Sequence, residues 1–374
     1  MTDMKQLEER LKNAFYWFHE YPELSYEEYN TTAKIREILE SYQIEILPYD
    51  LETGLVAVIR GEQDGPVQML RCDIDALPIV EQTTLSYRSK TEGKMHACGH
   101  DMHIVAGLGC AVLLQENRDK LRGTVKIVFQ PAEESSLGAL KILETDIMEN
   151  VDFVWGFHAD PTNAIGVIGI REGYVTAAVD RFVITVKGIG CHGAHPDDGV
   201  DPILVSAAIV QALQSIVSRN VNAFHPSLLS VTRINAGTTW NVIPPEAVME
   251  GTVRTMERED RVLYERKLKE IAEKTAQAYG AEAVVRWIAG PPATYNDKKM
   301  ANLCEQKAKE MGFEVVLEES SMGGDDFAFY EEKIPGCYVK VGTGVGHPIH
   351  HPAFAVNPEV LLPTAKYLTE ILLG

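Results

Sequence analysis

Residues 96–101 read HACGHD, a cysteine between two histidines with an aspartate directly behind. Taken alone, this cysteine could be a redox thiol, a nucleophile activated by a neighbouring imidazole, or a metal ligand. The rest of the chain supplies further donors. Asp73 and Asp75 lie in CDIDALP, Glu133 and Glu134 in QPAEES, His158 in GFHADP, and His347, His350 and His351 in GHPIHHPAF. Each has a plain structural reading by itself: adjacent glutamates are usually solvated, and a strand-end histidine is usually just hydrogen-bonded. Together they form a set of thiolate, imidazole and carboxylate that suits a borderline divalent metal such as Zn²⁺, with Mn²⁺, Co²⁺ or Ni²⁺ as alternatives. They also outnumber the ligands of one four-coordinate site. The expectation is a two-metal centre that shares a bridging ligand and a bridging water. Consecutive glutamates do not easily turn to the same ion, so one can ligate while its neighbour acts on the water as general base.

Such donors need elements that hold them. Residues 4–18 and 27–42 have helical periodicity, the second with Ile35, Ile38 and Leu39 on one face. LVAVIR (55–60) and VQMLRC (67–72) are short apolar runs bounded by glycine or proline, hence strands. Residues 102–117 predict a buried helix, and 124–130 and 153–158 two more strands. This alternation predicts an α/β domain with a mainly parallel sheet. Open sheets of that kind place their ligands beyond the carboxyl ends of the strands, where these donors fall. From about residue 180 the pattern changes. Strands at 181–188, 228–237, 247–256 and 283–288 enclose helices from Pro202 to about 218 and over 258–279, with Asp201 as N-cap. This β-α-β-β-α-β order predicts a ferredoxin-like α+β module. After the breaker-rich GPPATYND come a helix at 298–311, strands near 313–317 and 337–341, and a closing helix at 358–372. The expected organisation is a split α/β domain, 1–179 and 290–374, carrying an insertion at 180–289.

The formal net charge of −19 repels nucleic acid and anionic lipid, which excludes both as partners. No stretch is expected to approach the length of a membrane span. The opening MTDMKQLEERLKN has no apolar core of a secretory signal. Cys72, Cys98, Cys110, Cys191, Cys304 and Cys337 form no CxxC pair, which fits reduced thiols and a cytoplasmic location.

Ordered stretches along the whole chain resemble the M20 metallopeptidase superfamily, in its aminoacylase/amidohydrolase branch of hippurate hydrolases, N-acetyl-amino-acid deacetylases and auxin-conjugate hydrolases. They are HEYPELSYEE (19–28), RCDIDALPI (71–79), MHACGHDMH (95–103), FQPAEES (129–135), GFHADP (156–161), GIGCHGAHP (188–196), NVIP (241–244), GTVRT (251–255), MGGDDFAFY (322–330) and IHHPAF (349–354). The resemblance implies a hydrolase that cleaves N-acyl amino acids to a carboxylate and a free amino acid. It implies two divalent metals bridged by Cys98, with His100, Glu134, His158 and His350 as the other ligands. Glu133 is implied as general base, and Asp75 as a carboxylate that holds a ligand imidazole in its tautomer. His350 is preferred to His351 because relatives ligate through the histidine two before the proline. His96 and His103 are implied neighbours rather than ligands. The inserted module is implied to be a lid that carries homodimer or larger oligomer contacts. Its His192 would reach the active site across the dimer to stabilise the oxyanion, and Asn241 and Arg254 would hold the substrate carboxylate. The chain departs from the family pattern at Asp325, where a glutamate is frequent, and in CHGAHP, with its second histidine His195. The alternatives are a dipeptidase or carboxypeptidase of the same superfamily and, more distantly, an amidase with Cys98 as nucleophile.

Overall fold

The computed structural model describes residues 3–374. The described residues form two compact units, one of Asp3–Val175, Tyr295–Glu319 and Asp325–Gly374, the other of Thr176–Thr294 and Ser320–Gly324.

In the first unit, α1 (Met4–Glu20) is capped by the Asp3 side chain and buries Leu7, Leu11, Phe15 and Phe18 at helical spacing. Next come α2 (Tyr29–Ser41), β1 (Glu45–Ile46), β2 (Leu55–Arg60) and β3 (Gln63–Asp73). After a long connection, α3 (His100–Glu116) is buried from His100 to Leu114. It is apolar on all sides because it is covered on all sides, by α1, α9 and the sheet. Its Gly107 faces Cys72, where an added Cβ would lie 2.5 Å from the sulfur, so the helix can come this close to β3 only with a glycine there. β4 (Arg122–Gln130), α4 (Gly138–Leu143), β5 (Phe153–Asp160), β6 (Val167–Ile170) and β7 (Gly173–Thr176) complete this part.

The second unit holds β8 (Ala178–Lys187), β9 (Cys191–His192), α5 (Pro202–Arg219), β10 (Ser227–Ala236), β11 (Val242–Ile243), β12 (Glu246–Thr255), α6 (Arg258–Ala278) and β13 (Glu282–Ala289). Its antiparallel sheet has the order β10-β12-β8-β13, the ferredoxin-like arrangement expected from the βαββαβ pattern. Phe182, Ile184 and Val186 alternate inward from β8 against Val205, Ile209, Leu213 and Ile216 of α5 and Tyr264 and Leu268 of α6. The Asp201 cap accepts from Ile203 N at 2.8 Å. One expectation fails here: α5 is long and apolar enough, by length and composition, to cross a membrane. Its buried apolar face, Val205, Ile209, Leu213 and Ile216, serves the core it packs against.

The chain then returns to the first unit with β14 (Thr294–Asn296), which pairs with β7, then α7 (Lys298–Glu310), β15 (Glu314–Leu317), α8 (Ala328–Glu331), β16 (Gly336–Gly342) and α9 (Leu361–Leu373). The large sheet runs β1-β2-β4-β3-β5-β16-β6-β15. Its centre, β4-β3-β5-β16, is parallel, and antiparallel pairs join β1 to β2, β2 to β4 and β16 to β6. Asp73 pairs with Gln130 at the last step of β3 and β4, so these strands and the following QPAEES turn end side by side.

Candidate metal centre

Cys98, Gly99 and His100 enter α3 through a glycine at φ +90°, where a Cβ would lie 2.7 Å from that of Ala159. Only glycine takes that backbone and that approach without strain. The helix therefore begins at His100, two residues earlier than the sequence pattern indicates. His100 donates from Nδ1 to the Asp75 carbonyl oxygen at 2.9 Å, and His158 donates from Nδ1 to the Ala159 carbonyl oxygen at 2.7 Å. In the neutral form both imidazoles present a lone pair on Nε2; burial opposes the charge of His100, but Asp73 and Cys98 beside it raise its pKa well above the ordinary value, so a bound cation would have to displace its proton. His158 Nε2 lies 3.3 Å from Cys98 Sγ. Burial, then Lys340, hold His158 well below its ordinary pKa, so it is neutral as a ligand must be.

Glu133 and Glu134 follow β4 on a short 3₁₀ turn between Ala132 at φ 57° and Ser136 at φ 61°. His350 sits in the left-handed region at φ 65°, its amide donating to the Ala97 carbonyl at 2.7 Å and its Nε2 lying 3.4 Å from Glu134 Oε1. Donor atoms of Cys98, His100 and His158 all lie within 4.8 Å of one another, and so do those of Cys98, Glu134 and His350. Cys98 is common to both triads. Glu133 joins a third group with His100 and Glu134.

This donor set fits cations on physical grounds. His100 Nε2 and Glu134 Oε1 are buried without a hydrogen-bond partner, an arrangement that is costly unless a cation completes it. Burial also pushes the Cys98 thiol well above its ordinary pKa. With no cation beside it, this sulfur stays protonated and is a poor nucleophile, which counts against the cysteine-amidase alternative.

Asp75 meets His100 Nδ1 with both its carbonyl oxygen, at 2.9 Å, and its carboxylate, at 3.3 Å. Its own backbone carbonyl holds the His100 tautomer, while its side chain accepts from Glu133 N at 3.1 Å, Glu134 N at 3.0 Å and Ser25 Oγ at 2.7 Å. Three donors leave one of the carboxylate's four acceptor sites for the imidazole, whose Nδ1 is 3.3 Å from it. His96 is buried with both ring nitrogens unpartnered, and burial lowers its pKa to about 4. His351 accepts from Ala353 N, stacks on His347 at 4.4 Å and belongs to none of these donor groups, unlike His350.

A model of Peptidase family M20/M25/M40 matches residues 69–374. The chain belongs to this family. It is 46% identical over 368 residues to an N-acetylcysteine deacetylase of Bacillus subtilis, across 98% of this chain and 97% of that protein. It is 36% identical over 369 residues to thermostable carboxypeptidase 1 of Saccharolobus solfataricus, across 96% and 94%. A solved Bacillus subtilis structure, described as a dinuclear metal binding peptidase from the M20 family, is similar with a TM-score of 0.90 at 43% identity, covering 99% of this chain and 98% of that one.

Behind the donors this M20 chain carries a buried network that sequence reasoning left without a role. Arg71 bonds Asp73, Asp325 at 3.0 Å and Asp326 at 2.7 Å, and Asp73 bonds His103 Nδ1 at 2.5 Å. Tyr338 donates to Asp325 Oδ2 at 2.5 Å. The available signal was a charge inside an apolar strand: Arg71 in VQMLRC must find partners. Burial, then Asp325 and Asp326, push the Glu133 carboxyl well above its ordinary pKa.

In the second unit, β9 pairs with β11 so that His192 faces Val242, and Gly193 N donates to the Asn241 carbonyl at 2.8 Å. His192 and Asn241 thus sit together on one ribbon, His192 exposed. Arg254 is half-buried on β12 and folds back on Thr252 and the Val253 carbonyl.

His19, at the end of α1, was also missed. It is buried between Asp101 at 2.6 Å and Glu81 at 3.3 Å. Burial opposes its charge, but the two carboxylates prevail and raise its pKa to about 9. The folded protein then binds a proton that the unfolded chain releases near 6.5, so this stabilisation is complete below pH 6.5 and is lost as pH rises through about 9. The difference is on the order of 3 kcal/mol. Thermal unfolding from pH 6 to 10 should show wild type losing its advantage over His19→Gln across that window. Parallel curves would show that His19 is not charged in the fold.

Proposed function

We propose that this chain is a metal-dependent amidohydrolase that cleaves N-acyl amino acids to a carboxylate and a free amino acid, with N-acetyl amino acids as the favoured class. The carrying observation is the pair of triads that share Cys98, with Glu133 left beside Glu134. Similarity to an N-acetylcysteine deacetylase and to a dinuclear metal-binding M20 peptidase supports the reading. Cys98, His100, Glu134, His158 and His350 would hold two divalent ions, of Zn²⁺, Mn²⁺, Co²⁺ or Ni²⁺ by donor type. When bound, such a pair lowers the pKa of a water toward neutrality and polarises the acyl carbonyl.

Glu133 takes a proton from the attacking water as the oxygen bonds to the acyl carbon. It returns that proton to the amine nitrogen as the C–N bond breaks. His100 and His158 are kept in the ligating tautomer by backbone carbonyls, and Asp75 keeps the Glu133 and Glu134 amides in place. His192 is assigned to the developing oxyanion, and Asn241 and Arg254 to the free carboxylate of the substrate, on the strength of the resemblance. A homodimer formed through the inserted unit and a cytoplasmic location belong to the same reading.

The rival is a carboxypeptidase, favoured by similarity to the Saccharolobus enzyme. Holoenzymes prepared with Mn²⁺, Zn²⁺ or Co²⁺ should be assayed on N-acetyl and N-benzoyl amino acids, N-acetylcysteine among them, and on dipeptides and N-blocked dipeptides. We expect kcat/KM at least about tenfold higher on an N-acetyl amino acid than on any peptide. The reverse order would establish the peptidase.

A further inference from the structure

The segment HEYPELSYEE (19–28) has no part in the chemistry above, yet it touches three stretches that carry it. His19 bonds Asp101, the residue after His100, and Ser25 bonds the Asp75 carboxylate. Glu28, which ends the segment, is fully buried. Its Oε2 accepts from Thr53 Oγ1 at 2.8 Å, and its Oε1 accepts from the Ala132 amide at 2.8 Å. Three successive amides therefore end on carboxylates: Ala132 on Glu28, Glu133 and Glu134 on Asp75. A row of amides pointing one way is an anion-binding concavity, and here the protein fills it with its own acids. Ala132 has the left-handed backbone that non-glycine residues avoid, and it is this turn that sends Glu133 and Glu134 off the end of β4.

We propose that Glu28 is a positioning residue, whose carboxylate holds Ala132 in the left-handed turn that aims Glu133 and Glu134. The proposal rests on the roles given to those two glutamates above. A general stabilising role for Glu28 would weaken the whole fold. A positioning role acts on one turn, and a small displacement of reacting groups lowers turnover steeply.

The test compares holoenzymes of wild type, Glu28→Ala, Glu28→Gln and Glu28→Ala with Ala132→Gly. Glu28→Ala should lower kcat by about tenfold or more with KM within about threefold. It should also speed amide exchange across residues 131–136 by about tenfold, with exchange in α3 and β2 unchanged. Glu28→Gln should keep near-normal kcat and exchange, since its side-chain oxygen still accepts from Ala132. Adding Ala132→Gly should recover most of the kcat lost in Glu28→Ala, because glycine takes the left-handed turn without help. Unchanged kcat or unchanged exchange across 131–136 in Glu28→Ala would overturn the proposal. So would failure of both the glutamine and the glycine to rescue. Should the alanine chain not fold, Glu28→Asp replaces it: one methylene shorter, it keeps the charge and withdraws the acceptor, and normal kcat there would equally overturn the proposal. Exchange is read without substrate, so it judges the clamp even if the wild type turns over no N-acyl amino acid, an outcome that would sink the functional reading alone.

Discussion

Replacing Glu133 by glutamine is expected to lower kcat by roughly 10³–10⁴ while leaving metal content unchanged. Glutamine keeps the shape and the backbone amide that bonds Asp75, so the 3₁₀ turn should survive. What it loses is the ability to take a proton from water and return it to the leaving amine. The surroundings of Glu133 suit that task. Burial, then Asp325, Asp326 and Glu134, raise its proton affinity well above that of a free carboxylate; cations bound beside it would offset that rise and leave it ionised to take the proton. Arg71 keeps the two aspartates from repelling each other apart, since it pairs with both. Steady-state kinetics together with elemental analysis of the purified variant separate the two glutamates. Glu134→Gln should lose metal, whereas Glu133→Gln should hold it and stay slow. A Glu133→Gln enzyme within about tenfold of wild-type kcat would remove Glu133 as the base.

Most of the scaffold could be read from periodicity, because its strands are short apolar runs cut by glycine and proline, as in Leu55–Arg60, and its helices repeat apolar residues at three and four. β6 and β7 escaped because strands of four residues leave too little alternation to count. The helix start at His100 escaped because it depends on the φ of Gly99, and the residues just after it are polar. At the site, donor types and strand-end or turn positions singled out Cys98, His100, Glu133, Glu134, His158 and the cluster of His347, His350 and His351, with the family resemblance selecting His350, and the fold brings the donor atoms of Cys98, His100, Glu133, Glu134, His158 and His350 into overlapping groups. The choice between His350 and His351 could not come from spacing. It follows from a left-handed backbone tied to Ala97, which turns one ring to Glu134 and leaves the other stacked on His347. Glu28, Ser25 and His19 were illegible for another reason. Their partners are an amide, a carboxylate and a helix-start aspartate fifty positions away or more, and no local pattern encodes such pairings.

Cys98→Ala is expected to strip metal from both positions at once, where loss of any other single ligand would weaken mainly one. The sulfur belongs to both triads, so its removal leaves His100 with His158 on one side and Glu134 with His350 on the other. Two ligands on each side fall short of the three or four that protein sites give these ions. Metal content after gel filtration should fall toward zero, and kcat by about 10³ or more, since both the nucleophilic water and carbonyl polarisation depend on the ions. The fold should persist. Cys98 is 6% exposed, but exchange for alanine removes a single atom, and the α3 core from Met102 to Leu114 does not depend on it. Cys98→Ser tests donor chemistry rather than mere presence: its hydroxyl ionises far less readily than a thiol, so it should retain metal poorly even though it fills the same place. Circular dichroism fixes the folded state, and elemental analysis gives the count. If the alanine variant still held two ions per chain, Cys98 would not be the shared ligand. The thiolate would also be absent from the balance of charge that lets His100 and Glu134 lie buried with unpartnered atoms.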